Sequence, residues 1–114
     1  DKVSLAFIEK KIGNNANSKK YLGEAKKQLE NWLDRNQEDA RVYYALSRLN
    51  VIEGDINRAF ILLDTMVDMG GLNYKRIMSD PLLDKIKSDS RYFKLIDRIK
   101  TIIDRERIEA GLVS

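Results

Sequence analysis

The chain has 114 residues, with 21 Lys and Arg against 18 Asp and Glu, which gives a formal net charge of +3. It contains no cysteine and no histidine, which excludes disulfides, thiol catalysis, zinc sites of the Cys/His kind and the commonest general base. A hydrophobic fraction of 43% with a single proline is typical of a folded helical protein, and since no apolar run approaches the ~20 residues that cross a bilayer, no membrane insertion is expected.

The first two predicted helices form a loosely joined pair. A helix over residues 2–12 is expected to place Ile12 in the core, and the Gly- and Asn-rich segment 13–17 ends it. The second helix follows and runs through residues 18–33. Asp39 is then well placed as the N-cap of a third helix.

Residues 40–71 carry the clearest pattern in the chain. They form two segments of similar length joined at Glu53-Gly54-Asp55. In each segment apolar residues recur at steps of three and four, which is typical of helices. These residues are Tyr43, Leu46, Leu49 and Ile52 in the first, and Ala59, Leu63, Met66 and Val67 in the second. We expect the two helices to cross closest at Ala59, because its methyl side chain lets the backbones approach each other. The pattern predicts a helical hairpin.

The two hairpins share apolar residues at a spacing of 34. The matching pairs are Ala25 and Ala59, Leu29 and Leu63, and Ile12 and Leu46. A period of 34 with helix-turn-helix units is the signature of the tetratricopeptide repeat. Residues 40–71 resemble that family most closely, through Tyr43, Leu46, Ser47, Gly54-Asp55 and Ala59. The resemblance implies an all-α superhelix with repeat units at 3–36 and 40–71, and a concave side on which partner peptides lie.

The chain departs from the repeat after Gly71. Pro81 forbids a regular helix there, and Asp80-Pro81 predicts a new short helix that ends near Ile86. A last helix begins at Arg91, and its expected inward stripe is Phe93, Ile96, Ile99 and Ile103.

Residues 72–103 resemble the divergent terminating unit of many bacterial tetratricopeptide arrays, and residues 104–114 form a charged tail. The resemblance implies a single domain closed by C-terminal capping helices. Because the chain opens on Asp1 rather than Met, we expect a piece of a longer bacterial protein.

No enzymatic constellation is visible in the sequence. The aspartates at 34, 39, 55, 64 and 68 fall at caps, turns and exposed helix faces, and carboxylates for acid–base work need a cleft that separates their pKa values. No phosphate loop or metal-ligand spacing occurs. We therefore predict a protein that is not an enzyme and has no cofactor. Acidic residues are interspersed with Lys and Arg throughout, so no nucleic-acid partner is expected.

The third helix carries most of the predicted partner-binding site. Arg41, Tyr44 and Arg48 fall at i, i+3 and i+7 and form one stripe, which Val51 extends with apolar surface. Arginine can bind a carboxylate through two parallel hydrogen bonds, and tyrosine supplies rigid contact area. The alternative is that the two arginines pair with neighbouring acids as an ordinary surface.

Lys10 on the first helix completes the predicted site. Together with Asn14 and Lys75 its spacing is similar to that of family members that clamp a C-terminal carboxylate. Ala45 and Ser79 stand where the other two residues of that clamp would be, which argues against a complete clamp.

The resemblance implies a protein–protein interaction or scaffold module. The alternatives are a structural cap, a homodimer formed through the N-terminal edge, and an accessory domain of an upstream enzyme or regulator. The absence of cysteine is compatible with the cytoplasm or the periplasm, and the cytoplasm is slightly favoured.

Overall fold

The computed structural model describes residues 1–111, and that part of the chain contains six α-helices and one short 3₁₀ helix. The α-helices are α1 (Lys2–Lys11), α2 (Asn15–Arg35), α3 (Ala40–Glu53), α4 (Ile56–Asp68), α5 (Tyr74–Ser79) and α6 (Ser90–Glu109), and the 3₁₀ helix is Pro81–Ile86. Residues 1–111 contain no strand, so the predicted all-α class is confirmed. The predicted charged tail is helical as far as Glu109, and its last three residues lie outside the described part.

Every helix within residues 1–111 begins after an Asp or Asn whose side-chain oxygen accepts a backbone N–H group of the first turn. These N-caps are Asp1, Asn14, Asp39, Asp55, Asn73, Asp80 and Asp89. Each cap satisfies a donor that the helix itself cannot pair, which stabilises the helix by about 1 kcal/mol. Short polar side chains therefore cap the N-terminus of each of these helices, as predicted for Asp39 and for Asp80 before Pro81.

Two helix hairpins are followed by three C-terminal helices, of which the 3₁₀ helix packs on α3 and α6 packs on α4. α1 packs on α2, α3 packs on α4, and α5 with the 3₁₀ helix precedes α6. α3 lies at the centre, because it contacts α1, α2 and the 3₁₀ helix as well as α4. The molecule measures 55 × 33 × 21 Å, and its radius of gyration of 15.4 Å exceeds the ~13 Å of a compact domain of about this size. The stack is therefore elongated.

The hairpin of α3 and α4 is the best-packed pair. Gly54 ends α3 with φ +86°, a left-handed conformation that favours glycine. Ser47 and Ala59 are fully buried, so two small residues let these helices lie close together. Gly71 follows α4, and a Cβ atom there would lie 2.6 Å from Met66 Cγ and 3.1 Å from Ala40 Cβ. Only glycine fits at that approach.

Two inward positions predicted from the sequence are wrong. Ile12 is 71% exposed because α1 ends at Lys11, so Ile12 belongs to the turn and does not match the buried Leu46. Phe93 is 63% exposed, and its neighbour Tyr92 enters the core in its place. Ala25 and Ala59 are both buried, as the 34-residue spacing predicts.

The N-terminal edge of the stack keeps apolar side chains exposed. The side chains of Leu5 and Ile8 on α1, and of Ile12 just after it, are exposed. Homodimerisation through this edge stays a prediction.

Candidate functional site

The predicted binding residues of α3 lie at different depths. Arg41 is exposed, whereas Tyr44 is 5% and Val51 only 1% exposed. Arg48 is mostly buried, with 12% of its side chain accessible. The stripe runs along the face of α3 that α1 and the 3₁₀ helix cover, so α3 is enclosed on this side as well as on the side that packs against α4.

A carboxylate from outside α3 occupies the middle of the stripe. The Tyr44 hydroxyl donates a hydrogen bond of 2.6 Å to Asp80 Oδ2. Arg48 Nε lies 2.8 Å from the same oxygen, at ion-pair distance but not aligned for a hydrogen bond. Asp80 Oδ1 accepts the N–H group of Leu82 and so caps the 3₁₀ helix. We call Tyr44, Arg48 and Asp80 the central network.

The central network also reaches the N-terminal helix. Arg48 Nη2 donates to Ser4 Oγ over 3.3 Å, and Arg48 Nη1 lies 3.7 Å from an Asp1 carboxylate oxygen. One guanidinium group therefore connects α1, α3 and the start of the 3₁₀ helix. Burial, followed by the hydrogen bond to Asp80, raises the pKa of the Tyr44 phenol well above its ordinary value. The phenol consequently stays protonated and donates to Asp80.

On one side of the central network lies a cleft of about 300 Å³ between the start of α3 and α5, which we call the arginine cleft. Arg41 lies at this cleft, but its guanidinium is paired with Asp39 at 2.8 Å and stacks over the Trp32 ring at 5.7 Å. The Asp39 hydrogen bonds raise the pKa of Arg41 and lower that of Asp39. Arg76 lies over the Tyr44 ring at 4.8 Å and forms no ion pair within residues 1–111.

On the other side lies a second cleft of about 240 Å³, bounded by α1, the end of α3 and the 3₁₀ helix. Its lining residues are Phe7, Lys10, Lys11, Val51, Ile52, Leu82 and Lys85, and we call it the lysine cleft. The Lys10 ammonium donates a hydrogen bond of 2.7 Å to the Ile52 carbonyl at the end of α3. The Lys11 ammonium lies 4.8 Å from the centre of the Phe7 ring.

The structure thus divides the predicted site between two clefts. Arg41 and Tyr44 line the arginine cleft, Lys10 and Val51 line the lysine cleft, and Arg48 lies between them in the central network. Asn14, the second residue of the clamp hypothesis, caps α2 through a bond of 3.3 Å from the Asn17 N–H group. Its side-chain oxygen is therefore already used within the chain.

Sequence reasoning missed Lys11, Lys85 and Arg76 as members of these clefts. Lys11 adjoins Lys10, so the doubled lysine was a local signal. Lys85 and Arg76 come from the short helices after Gly71, whose position against α3 is not encoded in any helical period. No pattern in the sequence could have placed them.

Within residues 1–111 no group of three or more acidic side chains is arranged to hold a metal ion. None of the helices in that part is both long and apolar enough to cross a bilayer. Both clefts place cationic side chains beside apolar side chains.

Comparisons with protein-family models, with curated proteins and with solved structures gave no significant match. Membership of the tetratricopeptide family therefore stays a prediction from the residues of this chain.

Proposed function

We propose that this chain is a non-catalytic protein–protein interaction module of the tetratricopeptide type, whose lysine cleft holds a partner segment. The packing of the helices supports this proposal, because α1 and α3, the first helices of the two hairpins, lie against each other, as the first helices of successive repeats would, and the 3₁₀ helix also packs on α3. In such a stack these helices line the concave side. The lysine cleft lies between them.

One observation carries the proposal. Three lysines surround the apolar residues of this cleft, and no acidic side chain from the described residues 1–111 lines it. Lys10, Lys11 and Lys85 form no ion pair with an acidic side chain within residues 1–111. Their charges are therefore not paired with a carboxylate in that part of the chain, although Lys10 donates to the Ile52 carbonyl and Lys11 lies over the Phe7 ring. Opposite charges across an interface raise the association rate and fix the register of the bound segment.

The apolar floor supplies the other half of the recognition. Phe7 and Leu82 come from two different helices and flank the end of α3. An apolar side chain seated between them would be desolvated at the centre of the contact, where binding energy concentrates. The partner that fits best is an extended segment with acidic residues on either side of a Leu or Phe.

Charge reversal at the cleft tests this proposal. The probe is a fluorescein-labelled twelve-residue peptide that carries four acidic residues around a central Phe, with binding followed by fluorescence anisotropy. Lys11→Glu with Lys85→Glu should weaken binding by about tenfold or more, since two attractive contacts become repulsive. Arg48→Glu is unsuitable, because it would place a second carboxylate beside Asp80 and disturb the central network.

The matched control is Lys20→Glu with Lys27→Glu on α2. Both residues are exposed and lie outside the lysine cleft, and each pair of changes takes the net charge from +3 to −1. The control should change the affinity by less than about threefold. Equal weakening by the two double variants would mean that only the overall charge matters, and would contradict the proposal.

A further inference from the structure

We propose that a groove on α2, centred on Gly23, is a second docking surface for an acidic amphipathic helix of a partner protein. The groove has a volume of about 590 Å³ and lies between α2 and the end of α3. It meets the lysine cleft only at Lys10 and Ile52, so it extends beyond the surface proposed above.

Gly23 lies in the interior of the 21-residue α2. Glycine is the least favourable helix residue after proline, because it loses the most backbone freedom on folding. A Cβ atom at this position would meet nothing within 4 Å, and φ at Gly23 is not positive. No contact within residues 1–111 therefore requires glycine there. A partner helix that approaches α2 closely would require it, because small residues let helix backbones pack at short distance.

The groove has the charge pattern that an acidic helix would match. Lys19 and Lys26 lie seven residues apart on the face that also carries Gly23, which separates them by about 10 Å along the helix axis. Neither lysine forms an ion pair within residues 1–111. Lys10 adds a third positive charge, and Glu53 is the one acidic residue in the described part of the chain that lines the groove.

The floor of the groove favours a protein partner over a nucleic acid. Leu22 supplies apolar surface between the lysines, and Ile52, which is 3% exposed, lines the groove beside it. A helix with acidic residues at positions i and i+7 and leucines at i+3 and i+4 would place its charges opposite Lys19 and Lys26. Its leucines would then lie over the floor. This is the helix-in-groove mode of recognition.

The probe for this proposal is a fluorescein-labelled peptide helix of about fifteen residues with that pattern, and its counterpart with Lys in place of Glu is the negative control. Lys19→Glu with Lys26→Glu should weaken binding about tenfold or more. Lys20→Glu with Lys27→Glu makes the same charge change at the same spacing on the same helix, and should change the affinity by less than about threefold.

A third variant tests the close approach itself. Gly23→Leu places a side chain in the groove, and since its Cβ atom would meet nothing within 4 Å, circular dichroism should show an intact helical fold. Binding of the probe should nevertheless fall about tenfold or more. In a nuclear magnetic resonance titration of the unmodified chain, the Gly23 amide should be among those that shift most.

Three results would overturn the proposal. These are equal weakening by the two double lysine variants, unchanged affinity of Gly23→Leu, and no binding of the probe to the unmodified chain at millimolar concentration. Lys11→Glu with Lys85→Glu separates this groove from the lysine cleft, because it should leave binding of the helical probe unchanged. A loss of both probes from that variant would show that one surface serves both.

Discussion

The two hairpins share a spacing of apolar residues but differ in how much of it they bury. α4 has 13 residues and buries six of them, whereas α2 has 21 and buries only Ser18 and Ala25. The difference follows from position in the stack. The second hairpin is covered by the first hairpin on one side and by the 3₁₀ helix and α6 on the other, whereas within residues 1–111 the first hairpin has a neighbour on one side only.

The turns of the two hairpins differ as well. In the second, Gly54 ends α3 in a left-handed conformation and Asp55 caps α4 at once. The turn between α1 and α2 falls at residues 12–14, seven residues earlier than the 34-residue spacing from Gly54 would place it. α2 is longer as a result, and its extra N-terminal turns carry Lys19. The first hairpin carries eight Lys and Arg residues, whereas the second carries three.

Truncating equivalent leucines should give the largest contrast between the hairpins. Leu63 in α4 is fully buried, and Leu29, its counterpart in α2, is partly buried. Leu63→Ala should lower the free energy of unfolding by about 3–5 kcal/mol, and Leu29→Ala by about 1–2 kcal/mol, because the cost grows with the cavity left behind. Urea denaturation followed by circular dichroism measures both. Equal losses would mean that the hairpins are packed alike.

The central network offers a smaller effect with a pH signature. Tyr44→Phe removes the hydrogen bond to Asp80 and should lower the free energy of unfolding by about 1 kcal/mol at neutral pH. The folded-state pKa of Tyr44 lies above the unfolded value near 10, so the unfolded chain loses the phenol proton first. The stabilisation is complete below about pH 10 and declines as the pH rises beyond it.

Urea denaturation at a series of pH values up to 11 checks this sign. The unmodified chain should lose stability above about pH 10 more steeply than Tyr44→Phe does. Tyr43→Phe is the control at neutral pH, because the Tyr43 hydroxyl bonds an exposed backbone carbonyl of Gln37 and should contribute less. Parallel pH profiles for the unmodified chain and Tyr44→Phe would contradict the structure of the network.

Helical periodicity in the sequence predicted the helices that carry a clear apolar face of their own. It located the α3–α4 hairpin, its glycine turn and the buried Ala25 and Ala59. It failed for Phe93, because two adjacent aromatic residues at the start of α6 allow two inward stripes. It also missed α5, whose six residues are too few to show a period.

The sequence predicted only part of the candidate site, because the contacts between separate helices are not visible in a helical period. A helical stripe shows which residues share a face, but not what covers that face. Asp80 lies 36 residues beyond Tyr44. Nothing in the sequence of α3 indicates that the Asp80 carboxylate accepts a hydrogen bond from the Tyr44 hydroxyl. The lysine cleft likewise depends on the docking of the 3₁₀ helix against α3.

Native-state hydrogen exchange tests the contrast between the hairpins most directly. We expect the amides of residues 46–50 in α3 to exchange only through global unfolding, since α3 is enclosed by its neighbours. Those of residues 19–27 in α2 should exchange through local opening, with a free energy at least about 2 kcal/mol lower. Amides in α2 that are as protected as those in α3 would show that the two hairpins form one equally stable unit, and would contradict this account.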